Sequence, residues 1–261
     1  MKKWLACIAA VLILCSAVLA ESDAAALQRA RDLLAGKGYS VSDEAFALAL
    51  EQQRMMREIF AQAGIAADES PSSMVYQLLM CEGIGEYDYD ALTWTPTSDW
   101  IYAFDAEFFN VEGMYTEFLQ GVQAIIPEAK ITAVREDLSG MNEYLEGSRK
   151  VYFDFNDHSY VVTFKSEGDW LNPEIIDFLN QVLKTEGFEP RLHAVSDAYD
   201  QMVFLICGSE KEAAALRSLL GTEPWESNAG FNLLDWLGEV SYILDKRLNI
   251  TNADGAFDHH H

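Results

Sequence analysis

The chain has 261 residues, of which half are hydrophobic and 12% aromatic, and it carries a formal net charge of −24 at pH 7. This composition excludes a wholly disordered chain, and the length suffices for one or two globular domains. The negative electrostatic field of such a chain repels phosphate backbones and anionic lipid surfaces, so nucleic-acid binding is not expected.

Residues 1–20 are predicted to be an export signal. Two lysines precede a short apolar run, which ends in a Val-Leu-Ala motif suited to cleavage after Ala20. We expect a secreted or extracytoplasmic protein without stable membrane insertion, because no other segment is long and apolar enough to cross a bilayer. Retention of the run as an anchor is the alternative. Cleavage would leave 16 basic against 42 acidic residues, a net charge of −26, which attracts cations and basic partners.

Residues 21–90 are predicted to form a helical N-terminal region. Three segments in it combine helix-forming composition with a capping residue or a first-turn proline, and each ends at or near a glycine. These segments run over 23–35, 43–63 and 71–83.

The second of these helices carries an apolar stripe at helical spacing. We interpret its Met55-Met56 pair as part of the core, with an adaptable binding groove as the alternative. The stripe consists of Ala45, Leu48, Ala49, Met55, Ile59 and Phe60.

Residues 91–220 are predicted to be a duplicated α+β core. The order strand, helix, strand, strand occurs at 100–155 and again at 160–207, and both helices contain a Phe-Leu-Val triplet at an offset of 60 positions. The expected product is one mostly antiparallel sheet with both helices packed on it, and with Phe118 and Phe178 in equivalent buried positions. The alternative is that any amphipathic helix leading into a strand shows this pattern.

Residues 221–261 are predicted to be a C-terminal helix and tail. A loop rich in Gly, Pro, Ser and Asn precedes a helix over 232–248. The last three histidines resemble an affinity tag and are left out of the functional interpretation.

Two cysteines, Cys81 and Cys207, remain after signal cleavage. The chain is therefore not a disulfide scaffold, although export permits a single bridge between them. Cys207 ends an apolar run and is expected to be buried in a central strand.

Motifs for catalysis or metal binding are not found. The sequence has no nucleophile elbow, zinc-protease helix, Cys-x-x-Cys pair or phosphate-binding glycine loop. Outside the tail, its histidines are His158 in a hairpin turn and His193 in a separate strand. We therefore predict no catalytic residue, no metal ligand and no cofactor.

Residues 86–100 form the longest non-helical, aromatic-rich segment and are predicted to border the binding site, because binding residues collect on loops that a rigid scaffold holds. Acidic side chains would set its polarity, and tryptophans would supply contact area. Alternatively, the tryptophans pack over the rim of the core and the acids form a solvated loop. The candidate ligand-binding residues are Asp88, Asp90, Trp94, Asp99, Trp100 and Trp170.

The most consistent functional interpretation is an exported, acidic binding protein without catalytic activity. Its partner would be a small molecule, a peptide or a basic protein, and the sequence does not identify which. The alternative is an extracellular carboxylate-dependent hydrolase. Two acids with raised pKa values in a deep cleft would favour the hydrolase, whereas a shallow aromatic groove would favour the binding protein.

Overall fold

A computed structural model describes residues 23–65, 70–88, 90, 93–196 and 201–222. The predicted export signal and the predicted C-terminal helix lie outside these residues. The described residues form six α-helices and three antiparallel sheets, which confirms the predicted α+β class.

These residues divide into two compact units. We call residues 23–82 with 214–222 the helical unit, and residues 83–213 the sheet unit. The domain limits predicted at residues 20, 90 and 220 stay predictions.

The helical unit contains three complete helices and the second half of a fourth. Ser42 begins the second helix, because its hydroxyl accepts a hydrogen bond from the Ala45 N–H at 3.1 Å. The carboxylate of Glu82 accepts from both the N–H and the hydroxyl of Ser42, and Gly64 at φ 72° ends the helix. The four helices are α1 (23–35), α2 (Asp43–Ala63), α3 (Pro71–Gly83) and α6 (Glu210–Leu220).

The sheet unit contains a two-stranded hairpin, two three-stranded sheets and two long helices. One sheet has the order β3–β8–β7, the other has the order β4–β5–β6, and β1 pairs with β2. The elements are β1 (Glu86–Asp88), β2 (Thr93–Thr95), β3 (Ile101–Asp105), a 3₁₀ turn (Val111–Gly113), α4 (Met114–Ala124), β4 (Ile131–Met141), β5 (Glu146–Phe155), β6 (His158–Glu167), α5 (Glu174–Thr185), β7 (Arg191–Ala194) and β8 (Met202–Gly208).

The prediction of one sheet is wrong, and the duplication is not confirmed. Phe118 and Phe178 are both buried, but each strand-helix-strand segment crosses from one sheet to the other. Strand β3 and strand β4 belong to different sheets, and so do β6 and β7. Periodicity identifies strands and helix faces, but it does not specify the edge along which a strand pairs.

The sheet β4–β5–β6 is a meander of three consecutive strands, although β6 belongs to the second predicted repeat, whereas the sheet β3–β8–β7 includes a strand that is distant in the chain. Strand β6 completes the pair β4–β5, and β3 completes the pair β7–β8. Aromatic rings on both sheets and both helices form one core. The ring of Phe118 lies edge-on to Phe104 of β3 at 5.3 Å, and Tyr115 stacks on Phe164 of β6 at 5.3 Å. Helix α4 therefore packs against strands from both sheets.

Strand β7 is an edge strand, and α5 protects part of its backbone. The Asn180 side chain donates to the carbonyl of Leu192 at 3.0 Å and accepts from the N–H of the same residue at 2.8 Å. These two bonds occupy backbone groups that would otherwise be open to another strand.

Both cysteines are free thiols. Cys207 lies in the central strand β8, as predicted, but it is only partly buried. Burial raises the pKa of Cys207 to about 11 and that of Cys81 to about 12, so both are weak nucleophiles at neutral pH.

Candidate functional site

Strands β1 and β2 form a short hairpin, and Trp94 anchors it to the rest of the sheet unit. The indole Nε1 of Trp94 donates to the carbonyl of Ile84 at 2.7 Å, and its ring lies 5.2 Å from that of Tyr102. The side chain of Gln120 donates to the carbonyl of Trp94 at 2.9 Å. These contacts give Trp94 a packing role at the rim of the core, the alternative that the sequence left open. Its predicted role in ligand binding stays a prediction.

The acidic residues of the predicted site lie at the surface. Asp88 accepts a hydrogen bond from the N–H of Asp90 at 2.9 Å, a local contact that is common in turns. Asp99 is exposed and Trp100 is half-buried, immediately before β3.

Trp170 lies in a different element from the other five predicted residues. It belongs to the connection between β6 and α5, where its backbone pairs with Glu107 and Glu167. Its side chain is 48% exposed and borders a groove of about 430 Å³, which we call the Trp170 groove. None of the described residues between 86 and 100 lines this groove. Its lining residues are Thr163, Lys165, Glu167, Trp170, Leu171, Asn172, Pro173 and Glu174.

Much of the polar wall of the Trp170 groove is engaged within the protein. Lys165 pairs with Glu167 at 3.0 Å. The amide of Asn172 donates to the carbonyl of Lys165 and accepts from the N–H of Glu174. The exposed indole of Trp170 supplies apolar contact area in this groove.

A wider groove of about 550 Å³ lies between α2 and α3 of the helical unit, and we call it the methionine groove. Its walls combine flexible thioethers with aromatic rings, and its polar groups are three amides and two hydroxyls. The lining residues are Gln52, Gln53, Met55, Met56, Phe60, Ser73, Tyr76, Gln77 and Met80.

The prediction that Met55 and Met56 belong to the core is wrong. Their side chains are 54% and 41% exposed, and Ile59 one turn further on is 49% exposed. Helix α2 buries Ala45, Ala49 and Gln53, all in its first half, and no residue from 54 to 65 is buried.

The lengths of the helices explain this exposure. Helix α2 has 21 residues, whereas α3 has 13 and α1 covers 23–35. At a rise of 1.5 Å per residue, α2 is longer than α3 by about 12 Å. Helical spacing reveals the apolar stripe, but not whether the neighbouring helices are long enough to cover it.

The polar side chains in the groove already have partners on the facing helix. Gln53 donates to the sulfur of Met74 at 3.8 Å, and Gln77 donates to the carbonyl of Ala49 at 3.2 Å. The thiol of Cys81 donates to Gln52 at 3.4 Å. The uncommitted surface of the methionine groove is therefore apolar.

Comparison with protein-family models, curated proteins and solved structures finds no match for this chain. A functional conclusion therefore rests on the residues of the chain itself. Within the described ranges, no helix has the length and apolar character needed to cross a membrane.

An ion pair with buried side chains lies at the start of α4. Nη1 of Arg149 donates to Glu136 at 3.0 Å and to the carbonyl of Val111 at 2.8 Å. Glu136 also accepts from the N–H and the hydroxyl of Thr116. The sequence analysis did not single out this pair, whose partners come from three separate elements. It fixes the 3₁₀ turn and α4 against β4 and β5.

Both histidines pair with glutamates in different places. His158 and the hydroxyl of Tyr160 both contact one carboxylate oxygen of Glu186, and His193 lies 3.3 Å from Glu210. Among the residues that the structure describes, no three His, Cys, Asp or Glu side chains are close enough to hold a metal ion.

Among the residues that the structure describes, three carboxyl groups have pKa values raised by burial, namely those of Glu117, Glu136 and Asp177. None of them lines either groove. Glu136 is held by Arg149 and Thr116 within the fold. The raised pKa values of these three groups are therefore consequences of packing.

These raised pKa values predict that mild acidification stabilises the protein. When a carboxyl is harder to ionise in the folded state, the unfolded state loses its proton first. Stability therefore falls as pH rises from the ordinary carboxyl range through the raised folded pKa. Asp137 and Glu212 have lowered pKa values, so their contribution is lost only at still lower pH. We expect a higher midpoint of thermal unfolding at about pH 5.5 than at about pH 7.

Two matched double variants distinguish the effect of carboxyl burial on this pH dependence from that of general charge repulsion. Glu117→Gln with Asp177→Asn should reduce the pH dependence of the unfolding midpoint. The double variant Asp99→Asn with Glu143→Gln removes the same charge from two exposed positions and should change this pH dependence less. A lower midpoint at the acidic pH in the unaltered protein would contradict the prediction.

Proposed function

We propose that the chain is an exported, acidic, non-catalytic binding protein that holds an amphipathic helix of a partner protein in the methionine groove. The observation that carries the proposal is the exposure of Met55, Met56 and Ile59 along one helix. Soluble proteins rarely leave a contiguous apolar surface of this kind uncovered unless it binds something.

The side-chain chemistry of the groove suits a helix. An amphipathic helix presents apolar residues at i, i+3, i+4 and i+7, and it binds in an apolar groove of matching length. Methionine side chains adapt to different partners because they are unbranched, flexible and polarisable. The groove offers Met55, Met56 and Met80, with Phe60 and Tyr76 as larger contacts.

The charge of the chain favours a partner whose polar face is basic. A net charge of −24 attracts basic segments and accelerates their association, and salt weakens this attraction. Apolar contacts in the groove would then provide most of the affinity. The same charge disfavours nucleic acid as a partner.

The proposal is tested with a synthetic leucine–lysine peptide of about 18 residues that carries one apolar helical stripe. Its dissociation constant is measured by isothermal titration calorimetry in about 0.15 M salt. The double variant Met55→Ser/Met56→Ser should weaken binding at least about tenfold. Lost burial of two methionines is worth more than about 1.4 kcal/mol.

Two controls distinguish the groove from general attraction. The Phe109→Ser variant removes a side chain that is 95% exposed and lies outside the groove, and it should bind the peptide as the unaltered protein does. A scrambled peptide of the same composition but without the stripe should bind weakly. Equal binding of both peptides, or undiminished binding by the double methionine variant, would overturn the proposal.

A further inference from the structure

We infer that the Trp170 groove binds an arginine side chain of a basic peptide, whose guanidinium stacks on the indole of Trp170 and pairs with the carboxylates beside it. The site lies entirely in the sheet unit. The inference is independent of the methionine groove, because the two grooves have no lining residue in common. It follows from the shape of the Trp170 groove, from its charges and from the chemistry of its aromatic wall.

Strand β6 and the connection that follows it form the two sides of the groove. Thr163, Lys165 and Glu167 alternate along β6 and therefore lie on one face of the strand. Residues 170–174 form the other side, where the Asn172 amide donates to the carbonyl of Lys165 at 3.1 Å. A volume of about 430 Å³ is within the range of small-ligand sites in proteins, so the groove has room for one long side chain.

The indole of Trp170 is an aromatic surface that a cation can cover. Its side chain is 48% exposed, while its backbone is fixed by antiparallel bridges to Glu107 and Glu167. Tryptophan attracts cations over its ring face more strongly than tyrosine or phenylalanine does. The chain uses the same interaction internally, since the guanidinium of Arg135 lies 3.8 Å from the ring centroid of Tyr152. The indole therefore offers a surface of suitable chemistry in a fixed position.

Acidic side chains outnumber basic ones around this indole. Glu167 and Glu174 line the groove, and Glu107 lies beside Trp170 in the antiparallel bridge. Lys165 is the one basic residue among the described lining residues. The local charge therefore has the same sign as the net charge of −24 on the whole chain, and it attracts cations and repels anions.

Arginine matches this combination of groups better than lysine does. A guanidinium is planar, so it can stack on an aromatic ring and donate paired hydrogen bonds to a carboxylate in its own plane. A lysine ammonium is a compact, strongly hydrated charge without a planar face. Free arginine would bring an α-carboxylate into an acidic place, so we expect an arginine whose carboxyl group is part of a peptide bond.

Lys165 occupies one carboxylate of the groove in the free protein. Its ammonium pairs with Glu167 at 3.0 Å, and the two side chains are 73% and 72% exposed. Because exposed ion pairs of this kind are weak, a guanidinium that also stacks on the indole can displace the lysine. Removal of the Lys165 charge should therefore tighten binding, whereas removal of the Trp170 ring should weaken it.

The test titrates the full chain with N-acetyl-L-arginine amide at a constant ionic strength of about 0.1 M and follows backbone and indole N–H signals by NMR. The indole signal that is missing in Trp170→Leu identifies Trp170 and should shift in the unaltered protein. Trp170→Leu keeps apolar contact area without a ring face and should weaken binding about fivefold or more. Lys165→Gln should tighten binding about two- to fivefold.

Lys184→Gln is the matched control for Lys165→Gln. Lys184 is exposed in the last turn of α5, about 15 Å along the helix from Glu174, which is more than a Debye length of about 10 Å. The control removes the same charge and should leave the affinity unchanged. If it tightens binding as much as Lys165→Gln does, the effect is one of total charge, and the displacement of Lys165 is overturned.

Three related ligands distinguish guanidinium recognition from simple charge attraction. The citrulline analogue has the same shape without the charge, the lysine analogue has the charge without the planar face, and free arginine adds the α-carboxylate. All three should bind more weakly than N-acetyl-L-arginine amide. Equal binding of the citrulline or lysine analogue would overturn recognition of the guanidinium, and tighter binding of free arginine would overturn the assignment to a peptide.

Undiminished binding by Trp170→Leu would overturn the assignment to the Trp170 groove. These outcomes leave the proposed function untouched, because that proposal is tested with a different ligand and with variants of Met55 and Met56.

Discussion

Replacing Arg149 by alanine is expected to lower the free energy of unfolding by about 3–5 kcal/mol. The side chain of Arg149 is fully buried, and the partner carboxylate of Glu136 is also almost fully buried. Removal of the guanidinium leaves Glu136 without its compensating cation in a desolvated place, although Thr116 still donates two hydrogen bonds to it. Urea denaturation of the full chain measures the difference.

The Arg149–Glu136 pair also predicts that replacing both residues costs less stability than removing Arg149 alone. Arg149→Met/Glu136→Leu replaces both charges with apolar groups and should recover much of the lost stability, because a buried pair is costly to break but inexpensive to replace. Arg135→Ala is the matched control. Arg135 is exposed and stacks over the ring of Tyr152 at 3.8 Å, so its loss should change stability by about 0.5–1 kcal/mol. If Arg149→Ala changes the free energy of unfolding as little as the control does, the buried pair is not a major determinant of stability.

Truncation of Phe178 to alanine should have an effect of comparable size, about 3–5 kcal/mol. Its ring is buried and lies edge-on to Phe153 at 6.2 Å, in the core that α5 shares with β5. The substitution removes the transfer free energy of the ring and leaves a cavity between helix and sheet. The midpoint of urea unfolding should fall while its slope stays the same.

Phe109→Ala is the matched control for that variant. Phe109 is 95% exposed, so its truncation should alter stability by no more than about 0.5 kcal/mol. A loss below about 1.5 kcal/mol for Phe178→Ala would mean that the core closes around the missing ring.

Local signals in the sequence predicted many of the individual elements. The cap at Ser42 and the terminator at Gly64 bound α2, and a hairpin turn next to His158 joins β5 to β6. These features depend on residues that are near one another in the chain, so the sequence specifies them directly.

Long-range features were not predictable in the same way. The composition of residues 139–149 resembles a polar loop, yet β4 extends to Met141, and β5 begins at Glu146 and buries Arg149. The partners of that arginine are distant in sequence, so no local pattern indicates them. The exposure of Met55 and Met56 likewise depends on where other helices end.

The crossing of the two halves between sheets has a consequence for how the sheet unit forms. Strand β3 pairs with β8, which begins about 100 residues later along the chain. During synthesis, β3 therefore has no partner until β8 has left the ribosome, and neither half of the unit can complete a sheet of its own. Such non-local pairing makes folding slow and all-or-none. A chain cut at Asn156-Asp157 should yield two fragments that remain unfolded apart and regain structure only when mixed.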